Sequence, residues 1–306
     1  MEINEDKISN SIGSMGEGVD VGKIPKFRSL ERELKISEHF DSDSDLTIYN
    51  GDCKDLMKEI PSNTVSLIVT SPPYNIGKEY EKKVDIEIYK KWHKDIIFEC
   101  YRILREDGSI FWEVGNYVKK GEIYPLDVLL YPIFKELKMK LRNRIIWYFR
   151  HGLHCSKRFS GRYETILWFT KSDNYIFNLD DVRVPQLYPK KRYYKGPNKG
   201  KISSNPKGKN PTDVWEIPNV KHNHPEKTIH PCQYPEALID RIIKATTNRG
   251  DWVFDPFLGS GTTAVVALRL NRKAIGAEIK KEYVDITWER INKVLEGLSQ
   301  KKLDLY

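Results

Sequence analysis

Cysteine is scarce in this sequence: four residues in 306, Cys53, Cys100, Cys155 and Cys232, with no C-x-x-C pair among them. That spacing excludes a disulfide framework and argues against a structural zinc site, so all four are expected as reduced thiols. Long apolar runs are missing too. No stretch approaches the roughly 20 residues that cross a bilayer, and the opening Met1-Glu-Ile-Asn-Glu-Asp6 is too polar and acidic for a signal peptide. A cytoplasmic protein with no membrane partner is the expectation. No internal repeat and no G-x-x-x-x-G-K phosphate loop occurs. Acidic residues vanish between Asp181 and Asp213, a stretch that holds Arg183, Lys190, Lys191, Arg192, Lys195, Lys199, Lys201, Lys207 and Lys209.

What is present is enough for a buried core: 39% of the residues are hydrophobic, sufficient for one large domain or a domain with an insertion. Residues 1–44 read as a polar, loosely ordered arm with one short helix around Ser29 to Phe40. From Leu46 the pattern alternates. Strands are expected from Leu46 to Tyr49, Val65 to Thr70, Ser109 to Val114, Arg144 to Phe149, Tyr163 to Thr170, Trp252 to Asp255 and Ala274 to Glu278. Helices are expected from Cys53 to Ile60, Asp85 to Leu104, Pro125 to Leu137, Pro235 to Thr246, Thr262 to Leu270 and Lys281 to Leu295, the last stopped by Gly297. Such alternation implies an α/β fold, a doubly wound, mostly parallel sheet with helices on both faces. From Lys171 to His230 the periodicity fails under repeated prolines, which marks a functional insertion or a disordered one.

The net charge of +8 and isoelectric point near 9.0 suit a polyanionic partner. Within the insertion Tyr188, Tyr193 and Tyr194 interleave with the lysines. That composition fits a nucleic-acid surface as well as it fits a solvated loop.

Two corners carry the chemistry. Val253-Phe-Asp-Pro-Phe-Leu-Gly-Ser-Gly-Thr-Thr263 is a strand, a glycine turn and a helix start in succession. Gly259 and Gly261 let a ligand approach the backbone, and Glu278 ends the next strand about twenty residues on, where a carboxylate reaches ribose hydroxyls. The spacing G-x-G-x-x-A leaves a nicotinamide cofactor in competition. Asp255, just before the turn, would repel a pyrophosphate but suits a ligand bearing an ammonium and a sulfonium, such as S-adenosylmethionine. The other corner is Thr70-Ser-Pro-Pro-Tyr-Asn75, at the end of a run of small and β-branched residues. Proline after Ser71 holds that residue extended and fixes where its hydroxyl and the next carbonyls point, while Tyr74 offers a flat ring for stacking. In an open α/β sheet both corners lie outside the carboxyl ends of the strands and face one crevice.

With Ser71-Pro-Pro-Tyr74 placed before Asp255-Pro-Phe-Leu-Gly-Ser-Gly261, the chain resembles the amino-methylating DNA methyltransferases, specifically their β-ordered class. Asn50-Gly-Asp52, Gly108-Ser-Ile-Phe-Trp112, Tyr163-Glu-Thr-Ile-Leu-Trp-Phe-Thr-Lys171, Asp213-Val-Trp-Glu-Ile-Pro218 and His230-Pro-Cys-Gln-Tyr-Pro235 extend the resemblance over about Leu46 to Leu295. It implies a seven-stranded, Rossmann-like methyltransferase sheet divided into a catalytic half at 45–171, a target-recognition insertion at 172–229 and a cofactor half at 230–306. It also implies Ser71, Pro72, Pro73 and Tyr74 as the catalytic corner, which would accept from the exocyclic amine of a flipped base while Tyr74 stacks on it. The methyl donor is S-adenosylmethionine. Asp255, Phe257, Gly259 and Gly261 would surround its methionine part, Glu278 the ribose and Asp52 the adenine, with Pro256 and Thr262 also counted as cofactor-binding. Neither a metal nor a covalent intermediate is implied.

His230 is expected to cap a helix, to be structural or to touch the cofactor. Cys232, in a Pro-Cys-Gln stretch like the nucleophile motif of ring-carbon methyltransferases, lies upstream of the glycine turn and is expected as a neutral buried thiol. Double-stranded DNA is the implied partner, bound through Lys190, Lys191, Arg192, Lys195, Lys199 and Lys201. A restriction endonuclease of the same specificity is the implied functional companion, and the chain is expected as a monomer or homodimer. Ser71, in place of the Asp or Asn more usual in adenine enzymes, favours N4 of cytosine over N6 of adenine. RNA or protein methylation, a non-catalytic nucleic-acid module and a nicotinamide oxidoreductase are the rival readings.

Overall fold

Strand β5 (Val65–Thr70) is buried along its whole length because helices cover both faces of the sheet around it, so a continuous apolar run replaces the in–out alternation of a half-buried strand. The computed structural model describes residues 27–28, 33–77, 83–152 and 154–303. In chain order the elements before β5 are β1 (Phe27–Arg28), β2 (Glu33–Leu34), β3 (Ile36–Ser37), β4 (Leu46–Asn50) and α1 (Cys53–Glu59). After it come α2 (Ile86–Ile103), β6 (Leu104–Val114), β7 (Asn116–Lys119), β8 (Glu122–Pro125), α3 (Leu126–Glu136), β9 (Lys140–Tyr148) and β10 (Tyr163–Thr170). A 3₁₀ turn at Leu179–Val182 leads to β11 (Val214–Glu216), α4 (Glu236–Thr246), β12 (Trp252–Asp255), α5 (Thr262–Arg269), β13 (Lys273–Glu278) and α6 (Lys281–Leu303).

The sheet runs β11-β9-β10-β6-β5-β12-β13-β4-β3, and only β10 is antiparallel to its neighbours. One face packs on α4, α5 and α6 through residues such as Leu67, Val69, Ile242, Val265 and Ile291. The other packs on α1, α2 and α3 through Ile68, Ile97, Ile110, Leu130 and Phe134. Alternate residues of β5 thus enter different cores, the period-2 geometry of a central strand. The strand order reverses between β5 and β12, which pair in parallel although 180-odd residues separate them. There the carboxyl ends of the strands open into a crevice.

The seven expected strands are all present, and the sheet has nine. The additional ones, β3 and β11, are edge strands of two and three residues, too short to print a periodicity. The short helix expected around Ser29 to Phe40 is replaced, over its described part, by β2 and β3: the Lys35 carbonyl accepts from the Asp45 N–H, the Lys35 N–H donates to the Asp45 carboxylate, and Leu34 and Ile36 pack onto the core. Edge pairing outweighs a weak local helical preference. Most of the rest of the expected polar arm, residues 1–26, lies outside the described residues. Helix α6 continues through Gly297 to Leu303, since an isolated glycine costs a helix only about 1 kcal/mol. The β7–β8 hairpin carries no Asn-Gly signal; its turn residues Lys120 and Gly121 both have positive φ, 50° and 87°. Among the described residues no helix is long and apolar enough to cross a membrane.

Helix α2 carries His93 into the core against Tyr89, Trp92 and Trp112. Neither ring nitrogen makes a well-formed hydrogen bond, and burial pushes its pKa down to about 3, an effect only partly offset by the nearby Pro73 carbonyl. The unfolded chain therefore takes up this proton first as pH falls below about 6.5, and the fold loses up to about 1.4 kcal/mol per pH unit down to the folded value. Urea titrations should show the stability of wild type falling, relative to His93→Phe, by roughly 2 kcal/mol between pH 6.5 and 5. A constant difference across that range would mean His93 does not titrate this way.

Candidate active site

Thr70, the last residue of β5, donates its hydroxyl to Asp255 Oδ1 at 2.6 Å, so the two corners are bonded to each other across the sheet. Asp255 Oδ1 also accepts from the Phe257 N–H at 3.1 Å, and Oδ2 accepts from the hydroxyls of Tyr234 and Thr263, each at 2.6 Å. Burial pushes the Asp255 pKa up, while these donors favour the charged form. The carboxylate is thus the knot beneath the crevice.

Above it lies a cavity of about 240 Å³. Ser71, Pro72, Pro73 and Tyr74 form one side. The Pro73 carbonyl accepts from the Tyr89 hydroxyl at 2.9 Å, which fixes the corner on α2, and Asn75 (φ 60°) holds Val84 through both its amide oxygen and its amide nitrogen. Tyr74 donates its hydroxyl to Glu113 Oε2 at 2.6 Å, and Ser71 Oγ lies 3.0 Å from the Tyr74 oxygen. Because the Tyr74 proton is committed to Glu113, the Ser71 hydroxyl donates to Tyr74, and the Ser71 lone pairs point elsewhere as acceptors. Glu113 is the penultimate residue of β6; Glu164, on the neighbouring strand β10, lies beside it on the same face. Burial and the charge of Glu113 raise the Glu164 pKa well above the usual carboxyl range, so of the two Glu164 keeps its proton and Glu113 carries the charge. Burial likewise raises the Tyr74 phenol, which stays a neutral donor.

The opposite side is the glycine turn. Gly259 (φ 54°) donates its N–H to Glu278 Oε2 at 3.0 Å, and a Cβ there would come within 3.1 Å of the His230 ring. His230 stacks edge-on against Tyr283, and burial, aided by Lys227, lowers its pKa to about 4, so it is a neutral wall. Glu278 is fixed further by the Lys280 N–H at 2.8 Å. Burial raises its pKa against these backbone donors. Asp52 caps α1 by accepting from the Lys54 N–H at 2.9 Å and also borders the cavity. Trp92, Phe257 and Ile279 give it an apolar side.

The crevice therefore brings Ser71 to Tyr74 together with Asp52, Pro256, Phe257, Gly259, Thr262 and Glu278. Asp255 and Gly261 are not on its wall: the carboxylate is turned into the sheet, and Gly261 is the left-handed N-cap of α5, pressed against Thr287. Cys232, expected buried, is exposed and borders the cavity, because the chain ahead of Pro235 crosses the crevice mouth. His230 does not cap α4, whose N-cap is Pro235. Lys190, Lys191, Arg192, Lys195, Lys199 and Lys201 all stand exposed and away from the cavity wall. Glu113, Glu164, Tyr234 and Trp92 were not singled out from the sequence as site residues; a carboxylate inside the otherwise apolar run Ile110-Phe-Trp-Glu-Val114 was the available signal for Glu113.

Residues 65–289 match the family model described as DNA methylase. The chain is 56% identical over 243 residues to the Type II methyltransferase M.BglII of Bacillus subtilis, covering 79% of this chain and 68% of that one. It is 35% identical over 252 residues to the DNA adenine methyltransferase YhdJ of Escherichia coli (strain K12), covering 80% and 82%. Among solved structures it superposes on PvuII DNA methyltransferase (cytosine-N4-specific) with a TM-score of 0.65 at 23% identity, covering 83% of this chain and 93% of the other, a likeness of fold.

Proposed function

Because the chain belongs to the DNA methylase family of amino-methylating enzymes, whose methyl donor is S-adenosylmethionine, we propose that it methylates N4 of a flipped cytosine within a specific DNA sequence. The observation that carries this reading is the hydrogen-bond chain from Ser71 through Tyr74 to Glu113. An exocyclic amine is a poor nucleophile because its lone pair is delocalised into the ring. Accepting its N–H bonds at the Ser71 oxygen and the Pro72 carbonyl favours a localised lone pair on nitrogen. Tyr74 holds the ring by stacking.

The cofactor would rest between Glu278 and Asp52, at its ribose and adenine, and the Gly259 turn, where the missing Cβ leaves the room that His230 bounds. When bound it supplies a methyl group on a positively charged sulfur, within reach of the amine. The proton that the amine sheds moves to the Ser71 oxygen as the Ser71 proton passes to Tyr74 and the Tyr74 proton to the Glu113 carboxylate. Burial raises the Glu113 pKa, and hydrogen bonds from neutral Glu164, Ser71 and Tyr74 offset that by favouring its charged form. N6 of adenine is the second reading, favoured by the similarity to an adenine methyltransferase. A restriction endonuclease cutting the same sequence would be the functional companion.

Nucleosides from the DNA of cells expressing the protein should contain N4-methylcytosine by mass spectrometry. N6-methyladenine would select the second reading, and 5-methylcytosine alone would overturn the mechanism. Ser71→Ala should lower turnover about 100-fold, roughly 2.7 kcal/mol of lost transition-state stabilisation, while equilibrium dialysis finds cofactor affinity within about threefold of wild type. Near-normal turnover would remove Ser71 from its role.

A further inference from the structure

We infer that residues 184–209 form a two-stranded arm whose outer part enters the major groove of the target duplex, with Tyr194 and Ile202 against the base edges. This rests on the reading of the protein as a DNA methyltransferase, and it names the element that would select the sequence.

The arm is held together along its length. At its root Val184 and Lys209 exchange backbone hydrogen bonds of 3.0 and 2.8 Å, and Arg183 and Lys207 both pair with Asp180. Farther out the Ser203 N–H donates to the Lys191 carbonyl at 2.8 Å, the Tyr193 N–H donates to the Lys201 carbonyl at 3.0 Å, and Arg192 pairs with Ile202. The chain reverses over residues 194–199, and the Gly200 N–H closes the turn on the Tyr193 carbonyl at 2.9 Å. Pro185, Pro189, Pro197 and Pro206 interrupt the ladder, which is why no regular strand forms. From Val184 to Tyr193 such a chain reaches at most about 30 Å. A two-stranded ribbon fits a groove about 12 Å wide.

Its surface says what covers it. Residues 187–202 are exposed without interruption, yet they include Leu187, Tyr188, Tyr193, Tyr194 and Ile202, with Tyr194 83% exposed. Large apolar side chains on an arm with no core of its own require a partner surface. The arm has eight basic residues and no acidic one, and among the described residues only Lys207 of these eight has a carboxylate partner. The complementary surface is therefore polyanionic with flat apolar edges, which is the inside of a DNA groove. Lysines on both strands of the arm would meet phosphates and fix its register, while Tyr194 and Ile202 meet base edges and thymine methyl groups.

The test uses full-length protein and duplex oligonucleotides with and without the sequence found methylated in expressing cells. Tyr194→Ala should bind the cognate duplex about 30-fold more weakly and the other duplex within about twofold. Lys195→Gln combined with Lys199→Gln should weaken binding to both and reduce the log–log salt slope by about 1.8. Dimethyl sulfate footprinting should show wild-type protection of guanine N7 in the major groove, lost in Tyr194→Ala. Cofactor affinity, read by equilibrium dialysis, should be unchanged throughout, since none of these side chains packs on the core. Wild-type binding by both variants, or protection confined to adenine N3 in the minor groove, overturns the arm's assignment while methylation by the wild type stands. A wild type that methylates no duplex overturns both.

Discussion

Replacing Tyr74 by alanine is expected to lower turnover about a thousandfold while leaving S-adenosylmethionine affinity within about threefold. Two losses add. The stacking surface that Tyr74 would offer the base on the proposed function is worth on the order of 1–3 kcal/mol. Removing the hydroxyl strips the buried Glu113 carboxylate of its 2.6 Å donor and cuts Ser71 off from its proton acceptor, a charged hydrogen bond worth about 1.5–3 kcal/mol. The middle of the combined range is about 4 kcal/mol, or three orders of magnitude. Tyr74→Phe separates the two: it keeps the ring and should lose only the second part, about fiftyfold, with the same pH profile as Glu113→Gln and no further loss in the double variant. Single-turnover rates with radiolabelled cofactor read all of this. Full activity of Tyr74→Phe would show that the chain to Glu113 carries no proton.

Gly261→Ala should unfold the cofactor half more than it impairs chemistry, at a cost of about 3 kcal/mol in denaturant titrations. The residue caps α5 at φ 79°, where an L side chain already costs about 1–2 kcal/mol. An added Cβ would lie 2.5 Å from Thr287 Cγ2 and 2.7 Å from its hydroxyl oxygen, on a side chain that is fully buried and bonded to the Gly259 carbonyl. Shortening that neighbour in a Gly261→Ala, Thr287→Ala double variant should recover part of the loss. Gly259→Ala makes the contrast, because its Cβ meets only the His230 ring at 3.1 Å. At φ 54° that variant bears the same left-handed cost of about 1–2 kcal/mol without the Thr287 clash, so it should lose less stability than Gly261→Ala and lose cofactor affinity as well. If both glycine variants lose stability alike, the turn is a packing device first.

Much of this was legible in the linear order of residues, for a physical reason. Strand–helix alternation survives in β5, β12 and β13 because each is central, covered on both sides and too apolar to be anything else. The proline corner and the glycine turn were legible because their backbone demands admit few residues. What escaped notice depends on pairing at a distance. Glu164 lies 51 positions after Glu113, and only the β6–β10 register puts the two carboxyls together. Asp255 pointed to a ligand ammonium on sequence grounds; its three hydroxyl partners come from residues 70, 234 and 263, and their convergence is invisible until the sheet is assembled. Val214–Glu216 becomes a strand only because the edge of β9 offers it partners.

The Asp255 knot makes the enzyme mechanically a single lever. Thr70 precedes Ser71 by one peptide, Thr263 sits in the first turn of α5, and Tyr234 ends the segment that returns from the insertion. On the proposed function, a displacement of that returning segment on docking to a duplex would reach one carboxylate and, through it, the proline corner and the glycine turn together. Engagement of the substrate and alignment of the two reacting partners would then be one event, and loosening Tyr234 should blunt discrimination between the correct sequence and a near match before it blunts binding.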